Sequence, residues 1–399
     1  MTTGELTACP YPFPEVPALE LAPEYGEFRR TPGLPRLEMP YGGQAWLATR
    51  HADVKFVLAD PRFSRAAALN KDIPRTMPMV ESTPNILAMD PPNHSRVRRV
   101  VAKAFTARNI ELLRPRVEAL VDGLVAGMTD GKNTADLVDE LALPMAITAI
   151  SEMLGVPEDE RDEFHDWSTT AAAIKGPSIE EIVAANESLW AFFRRLVAER
   201  TQRPSDDLIS TILAAHDAEG RLTEEEMVSL GVTILSAGHE TTANQLSGHV
   251  FTLMAQRELW QRLVDRPQDV SDAVEELLRF TPLGVVTFAR IAKEDIEVGG
   301  TLVRAGESVV MQVAAANLDE EVFADADKID FDRESNPHIA FGHGAHHCLG
   351  APLARLELKT AMTALVRKLP TLRLAVPADE VVFKQGGLLR GPESLPVTW

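Results

Sequence analysis

The densest chemistry in the 399-residue chain lies in Phe341-Gly-His-Gly-Ala-His-His-Cys348-Leu-Gly-Ala-Pro-Leu-Ala-Arg355. Three glycines, Gly342, Gly344 and Gly350, surround one cysteine. Glycine lets a backbone take φ > 0 and approach a flat ligand closely. Pro352 suits the first turn of a helix, which places Cys348 just before a helix N-terminus. There the helix dipole and the unpaired N–H groups favour a thiolate. A buried thiolate faced by backbone donors is a strong metal ligand, and a single one fits haem iron, because a porphyrin supplies four other ligands. Two readings compete with it. His343, His346, His347 and Cys348 together offer zinc-binding atoms, although structural zinc sites usually bring Cys-rich ligands in separated pairs. Otherwise Cys348 is an inert buried cysteine.

Three more segments carry polar groups at helical spacing. Glu276 and Arg279 stand at i, i+3, which suits an ion pair on one helix face. His94 and Arg98 are one turn apart, and an arginine binds a carboxylate in a bidentate fork. In Ala237-Gly238-His-Glu240-Thr241, two small residues precede an acid and an alcohol. The bland reading of Gly238 is close helix packing; that of Thr241 is a bond to the i−4 carbonyl.

Taken together, these segments resemble the cytochrome P450 family. Phe341-Gly-x-Gly-x-His-x-Cys348-x-Gly350 is similar to its haem-binding signature, without departure. Glu276-Leu-Leu-Arg279 resembles its E-x-x-R helix, Asp332-Arg333 stands where the third member of that ion network lies, and Ala237-Gly-His-Glu-Thr-Thr242 resembles its oxygen-binding motif. Four motifs in register are not chance.

The resemblance implies a mainly α fold with small β-sheets (α+β), the family's triangular prism. It implies haem b (iron protoporphyrin IX) with Cys348 as axial thiolate, and O2 as co-substrate. His94, Arg98, Arg290 and His346 match the propionate ligands. Phe341, Gly342 and Gly350 lie against the porphyrin. Ala237 and Gly238 leave room above the iron, with a local widening of the helix. Thr241 orders water and relays protons to the bound oxygen, and Glu240 recharges that relay. His239 is a packing residue. Glu276, Arg279 and Arg333 support the loop before the cysteine without touching the reaction.

The elements that position these residues are mostly helical. Arg96–Phe105, Ile110–Gly127, Leu141–Leu154, Glu180–Arg200 and Leu208–Asp217 carry apolar residues at three/four spacing. Thr223 and Glu226 have the capping-box form and open a run to about Gln256 that is apolar on most sides, the pattern of a helix crossing a protein's interior. Strand signals are few: Ala45–Thr49, Val285–Ala289, Ser308–Val313, and the pair Ile296–Val298 and Thr301–Val303 joined by Gly299-Gly300. Prolines crowd residues 1–40, which reads as an extended arm on the surface of a single domain, residues 1–399, with Cys9 incidental in it.

Lys plus Arg number 40 and Asp plus Glu 59, a net charge of −19. That balance argues against nucleic acid and anionic membrane surfaces as partners. Two cysteines fit a reducing cytoplasm. No signal peptide and no apolar run of the ~20 residues needed to span a bilayer are apparent. Residues 96–116 reverse the sign, with seven cations against one acid. Read sharply, Arg96, Arg99 and Lys103 dock an acidic ferredoxin-type redox partner; read blandly, they are a solvated helix face. The chain is too short for a fused reductase, and a cytoplasmic monomer fed by a separate ferredoxin and reductase is expected.

The resemblance places Leu87, Leu235, Ala237, Val285, Val286 and Leu388 around the substrate. They are small or aliphatic, which suits a bulky apolar molecule such as a macrolide or polyketide, oxygenated by hydroxylation or epoxidation. A steroid, terpenoid or fatty acid is the alternative substrate, and oxidative coupling or ring formation the alternative reaction. A non-catalytic haem- or zinc-binding sensor is the reading from another class.

Overall fold

Capping fixes the start of the longest helix. Thr223 Oγ1 accepts the Glu226 N–H at 3.1 Å, and the Glu226 carboxylate accepts the Thr223 N–H at 2.8 Å. From that box the helix runs unbroken over Glu224–Ala255. It belongs to a computed structural model of the whole chain, which describes all residues except 1–7, 14–15, 77–79, 82–83, 173–176, 220–221, 285–286 and 385–388. The chain builds two compact units from interleaved stretches. One takes 1–92, 271–348 and 388–390; the other takes 93–270, 349–387 and 391–399.

The first unit holds a six-stranded sheet in the order Cys9–Pro10, Arg36–Glu38, Gln44–Ala48, Ser308–Met311, Arg290–Ala292, Phe63–Ser64. Leu47, Val309 and Val310 bury on it, and the helix His51–Ala59 packs nearby through Val54 and Val57. Ile296–Val298 and Thr301–Val303 form the expected hairpin, with Val298 opposite Thr301. Gly299 and Gly300 take φ of 55° and 84° there, the left-handed pair that a two-residue turn requires.

Two expectations fail in this unit. The described residues of 1–40 do not form an extended surface arm: Cys9–Pro10 pairs in parallel with the sheet, Pro23–Arg30 is helical, and Tyr11, Phe13 and Tyr25 are buried. The aromatic residues between the prolines supply apolar area that outweighs the proline signal. The strand expected over Val285–Ala289 is instead Arg290–Ala292, in register with Ser308 and Val309. Residues 285 and 286 lie outside the described residues.

The second unit is helical. Its long helix packs against Leu143–Leu154 and Ile179–Gln202, while Arg373–Leu374, Pro396–Thr398 and Thr134–Asp136 make a small sheet. The expected helix 110–127 is two, Ala107–Glu111 and Arg114–Thr129, because Pro115 opens a new first turn. The helix expected at 96–105 runs Asn93–Ala102. Among the described residues no helix is long and apolar enough to cross a membrane.

Candidate functional site

In the first unit, Glu276 organises a buried ion network. Its carboxylate accepts Arg279 Nε and Nη2 at 2.9 and 2.7 Å, Arg333 Nε at 3.2 Å, Asn336 Nδ2 at 3.1 Å and the Asp330 N–H at 3.0 Å. Burial alone would raise its pKa, but the bonds from Arg279, Asp330 and Arg333 prevail and hold it below the usual carboxylate range. Arg279 also donates to the carbonyls of Asn317, Ala326 and Lys328 at 2.7–2.9 Å. The network thus fastens the segment 317–336 to the helix Val270–Phe280.

The cysteine loop rises from that segment. Gly342 N–H donates to the Ile339 carbonyl (2.7 Å), His347 N–H to Gly344 (3.1 Å), and Cys348 N–H to Phe341 (2.8 Å). Gly344 has φ +72° and lies on the end of the helix His51–Ala59. A Cβ there would stand 2.5 Å from the Leu58 carbonyl oxygen, so only glycine fits. Cys348 is exposed, not buried as expected, and it forms no disulfide. Two residues on, Gly350 caps the helix Ala351–Lys368, with Pro352 in its first turn as the sequence predicts.

Arg290 tests whether this unit suits a haem. It is 6% exposed, and its Nε is buried without a hydrogen-bond partner among the described residues. Burial, with Arg65 nearby, lowers its pKa to about 10. A buried guanidinium left like this calls for an anion, and a haem propionate supplies one. His346 sits half-buried in the loop. The residues fit the group.

Sequence reasoning missed Arg65. It is 4% exposed and donates to the carbonyls of Leu87 (3.1 Å) and Ala289 (2.8 Å) and to Glu81 (2.7 Å), while its guanidinium lies 5.0 Å from the Phe288 ring. It fixes the chain on both sides of the expected substrate segments. Leu87 is 40% exposed, whereas Val285, Val286 and Leu388 lie outside the described residues.

In the second unit the long helix is buried for most of its length, yet Ser236 and Ala237 are exposed at its centre. Thr241 Oγ1 donates to the Ala237 carbonyl at 2.7 Å, and Thr242 Oγ1 to Gly238 at 3.2 Å. The expected widening is absent: the helix stays α, and the hydroxyls bond its carbonyls without opening it. Gly238 is used for packing, since a Cβ there would meet Ile150 Cγ1 at 3.0 Å. Leu235 is fully buried, whereas the next two residues, Ser236 and Ala237, are exposed. Glu240 is half-buried, and His239 is buried with Nδ1 against the Leu235 carbonyl.

His94 is buried and Arg98 half-buried on the helix Asn93–Ala102. The basic stretch divides. Arg96 grips the Glu226 carboxylate with both terminal nitrogens and Arg114 bonds Glu111, whereas Arg99, Lys103, Arg108 and Arg116 are exposed. Sequence gave no sign of Glu357, which is 2% exposed beside Thr242; burial pushes its carboxyl well up. Among the described residues, no three His, Cys, Asp or Glu side chains are grouped to hold a metal ion, against the zinc reading.

A model of the cytochrome P450 family matches residues 270–395. The chain is 49% identical over 391 residues to nocardicin C N-oxygenase of Nocardia uniformis subsp. tsuyamanensis, covering 98% of each. It is 45% identical to the mycinamicin IV hydroxylase/epoxidase of Micromonospora griseorubida over the full length of both. Among solved structures, the LnmA cytochrome P450 hydroxylase from the leinamycin biosynthetic pathway of Streptomyces atroolivaceus is 46% identical, with a TM-score of 0.93 over 98% of this chain and 100% of that one.

Proposed function

From the premise that this chain belongs to the cytochrome P450 family and is a haem-iron monooxygenase that uses O2, we propose that it oxygenates a bulky natural product of the macrolide or polyketide kind. The observation that carries this reading is the full-length likeness to the mycinamicin hydroxylase/epoxidase. The exposed turn at Ser236 and Ala237 within a buried helix supports it.

Bound haem b supplies activation of O2. Around it, each residue has a defined task in this reading. Cys348 would hold the haem iron through its thiolate, and Phe341, Gly342 and Gly350 would line the porphyrin. Arg290, His346, His94 and Arg98 hold propionates. Glu276, Arg279 and Arg333 keep the base of the cysteine loop fixed. Thr241, whose hydroxyl already donates to the Ala237 carbonyl, keeps its lone pairs for an ordered water, and Glu240 returns protons to that water. Leu87 and Ala237 contact substrate. The whole chain works as one catalytic domain, a cytoplasmic monomer. Its electrons come from a ferredoxin docked on Arg99, Lys103, Arg108 and Arg116, the cations of the basic stretch that are exposed.

A spectral screen with macrolides, steroids and fatty acids tests the substrate class, with a spin-state shift expected for macrolides alone. Turnover under labelled dioxygen then tests the reaction. One labelled oxygen atom in the product supports insertion; an unlabelled, dehydrogenated or coupled product overturns it.

A further inference from the structure

The base of the cysteine loop is held at four consecutive residues by four different partners. Asn336 Nδ2 donates to Glu276 (3.1 Å), the Pro337 carbonyl accepts from His51 Nε2 (3.1 Å), His338 Nε2 lies 3.2 Å from Glu275 Oε2, and the Ile339 N–H donates to Asn317 Oδ1 (2.8 Å).

His338 differs from the other three because its side chain reaches on into the loop. Its Nδ1 accepts the Ala340 N–H at 3.3 Å, so the proton sits on Nε2 and is donated to Glu275. The imidazole is 5% exposed and lies 6.3 Å from the Phe341 ring. The Phe341 carbonyl in turn accepts the Cys348 N–H. Carboxylate, imidazole, aromatic ring and peptide therefore run without a break from the helix Val270–Phe280 to the amide of the thiol-bearing residue.

We infer that Glu275 and His338 are a positioning pair for the Cys348 thiolate. The inference rests on the reading of Cys348 as the haem ligand. Groups behind a metal ligand orient it and tune the metal's potential through the dipoles they hold in place. If the Phe341 carbonyl is released, the Cys348 amide turns with it, and the thiolate loses a fixed electrostatic frame.

The test uses the holoenzyme and three variants, His338→Phe, Glu275→Ala and Glu275→Gln. The first two remove the contact; the third keeps an oxygen that accepts from Nε2. The ferric–ferrous equilibrium of His338→Phe and Glu275→Ala is expected to move about tenfold, which is about 59 mV for one electron. Part of their reduced carbon monoxide complex is expected to lose the red-shifted Soret band. Glu275→Gln is expected to match wild type in both readouts. The inference is overturned if the first two variants change only the unfolding midpoint, with potential and band as in wild type, or if Glu275→Gln is as defective as Glu275→Ala. Should His338→Phe not fold, the two Glu275 variants decide. A wild-type enzyme without the band would instead overturn the thiolate reading itself.

Discussion

Replacing Glu276 should be among the most damaging single substitutions in the protein. Its carboxylate is 1% exposed and accepts from two guanidiniums, a side-chain amide and a backbone N–H. Glu276→Ala removes the only carboxylate among the described residues that bonds Arg279, whose side chain is 0% exposed, and strands Arg333, 8% exposed. Breaking a buried pair from one side costs about 3–5 kcal/mol, because the remaining charge is left unsolvated. With a urea slope of about 3 kcal/mol/M, the midpoint should fall by roughly 1–1.7 M. Asp295→Asn is the control: its pair with Arg304 is 48% and 63% exposed, and such a pair contributes under about 1 kcal/mol, or about 0.3 M. Glu276→Gln should fall between, since it keeps one acceptor and turns an amide N–H₂ toward the guanidiniums. The pH dependence has a definite sign. The native carboxyl is held below its ordinary 4.5, so its contribution is complete above that value and lost as pH falls through the lower native pKa. The gap between wild type and Glu276→Ala should therefore close in acid. Tryptophan fluorescence against urea, repeated at several pH values, measures all of this. A Glu276→Ala midpoint no lower than that of Asp295→Asn would refute the argument.

Arg290→Met should speed haem loss to apomyoglobin by about tenfold, the factor for one charge-assisted bond of about 1.5 kcal/mol. It should also stabilise the haem-free protein to urea, because a buried cation whose Nε has no hydrogen-bond partner among the described residues is removed. Gly344→Ala should cost at least the roughly 1–2 kcal/mol of a left-handed alanine, with the Leu58 carbonyl clash added, seen as a lower urea midpoint. Arg99→Glu with Lys103→Glu should slow reduction by ferredoxin and flatten its salt dependence in stopped-flow, whereas Arg96→Gln, which breaks the Glu226 contact, should lower stability and leave that salt dependence alone.

The cysteine loop, the ion network and the capped long helix were legible because each depends on residue types at fixed local spacing. Glycine at 344 is required by its φ and by a neighbouring backbone, and Glu276 and Arg279 meet because i and i+3 share a helix face. Arg333 was legible only through the resemblance, since 57 residues separate it from Glu276 in sequence. Positions set by tertiary neighbours were not legible. Arg65 and Glu357 look like ordinary surface charges until the fold buries them, and nothing in Pro10 to Pro40 shows that the aromatic residues between the prolines turn inward.

The long helix shows most clearly where the limit lies. A helix with polar residues on one side declares its orientation, but this one is apolar on most sides, so its sequence carries no phase. Leu235 and Ala237 are equally plausible as pocket residues on pattern alone. The packing of Ile150 against Gly238 sets the rotation, and that rotation buries Leu235 completely while leaving Ala237 exposed. The same logic separates Arg96 from Arg99, two cations three residues apart. One faces Glu226 across a helix pair and is withdrawn from any partner; the other faces outward. Which residues a substrate or a redox protein meets is thus decided by helix rotation, a quantity that only the neighbouring helix supplies.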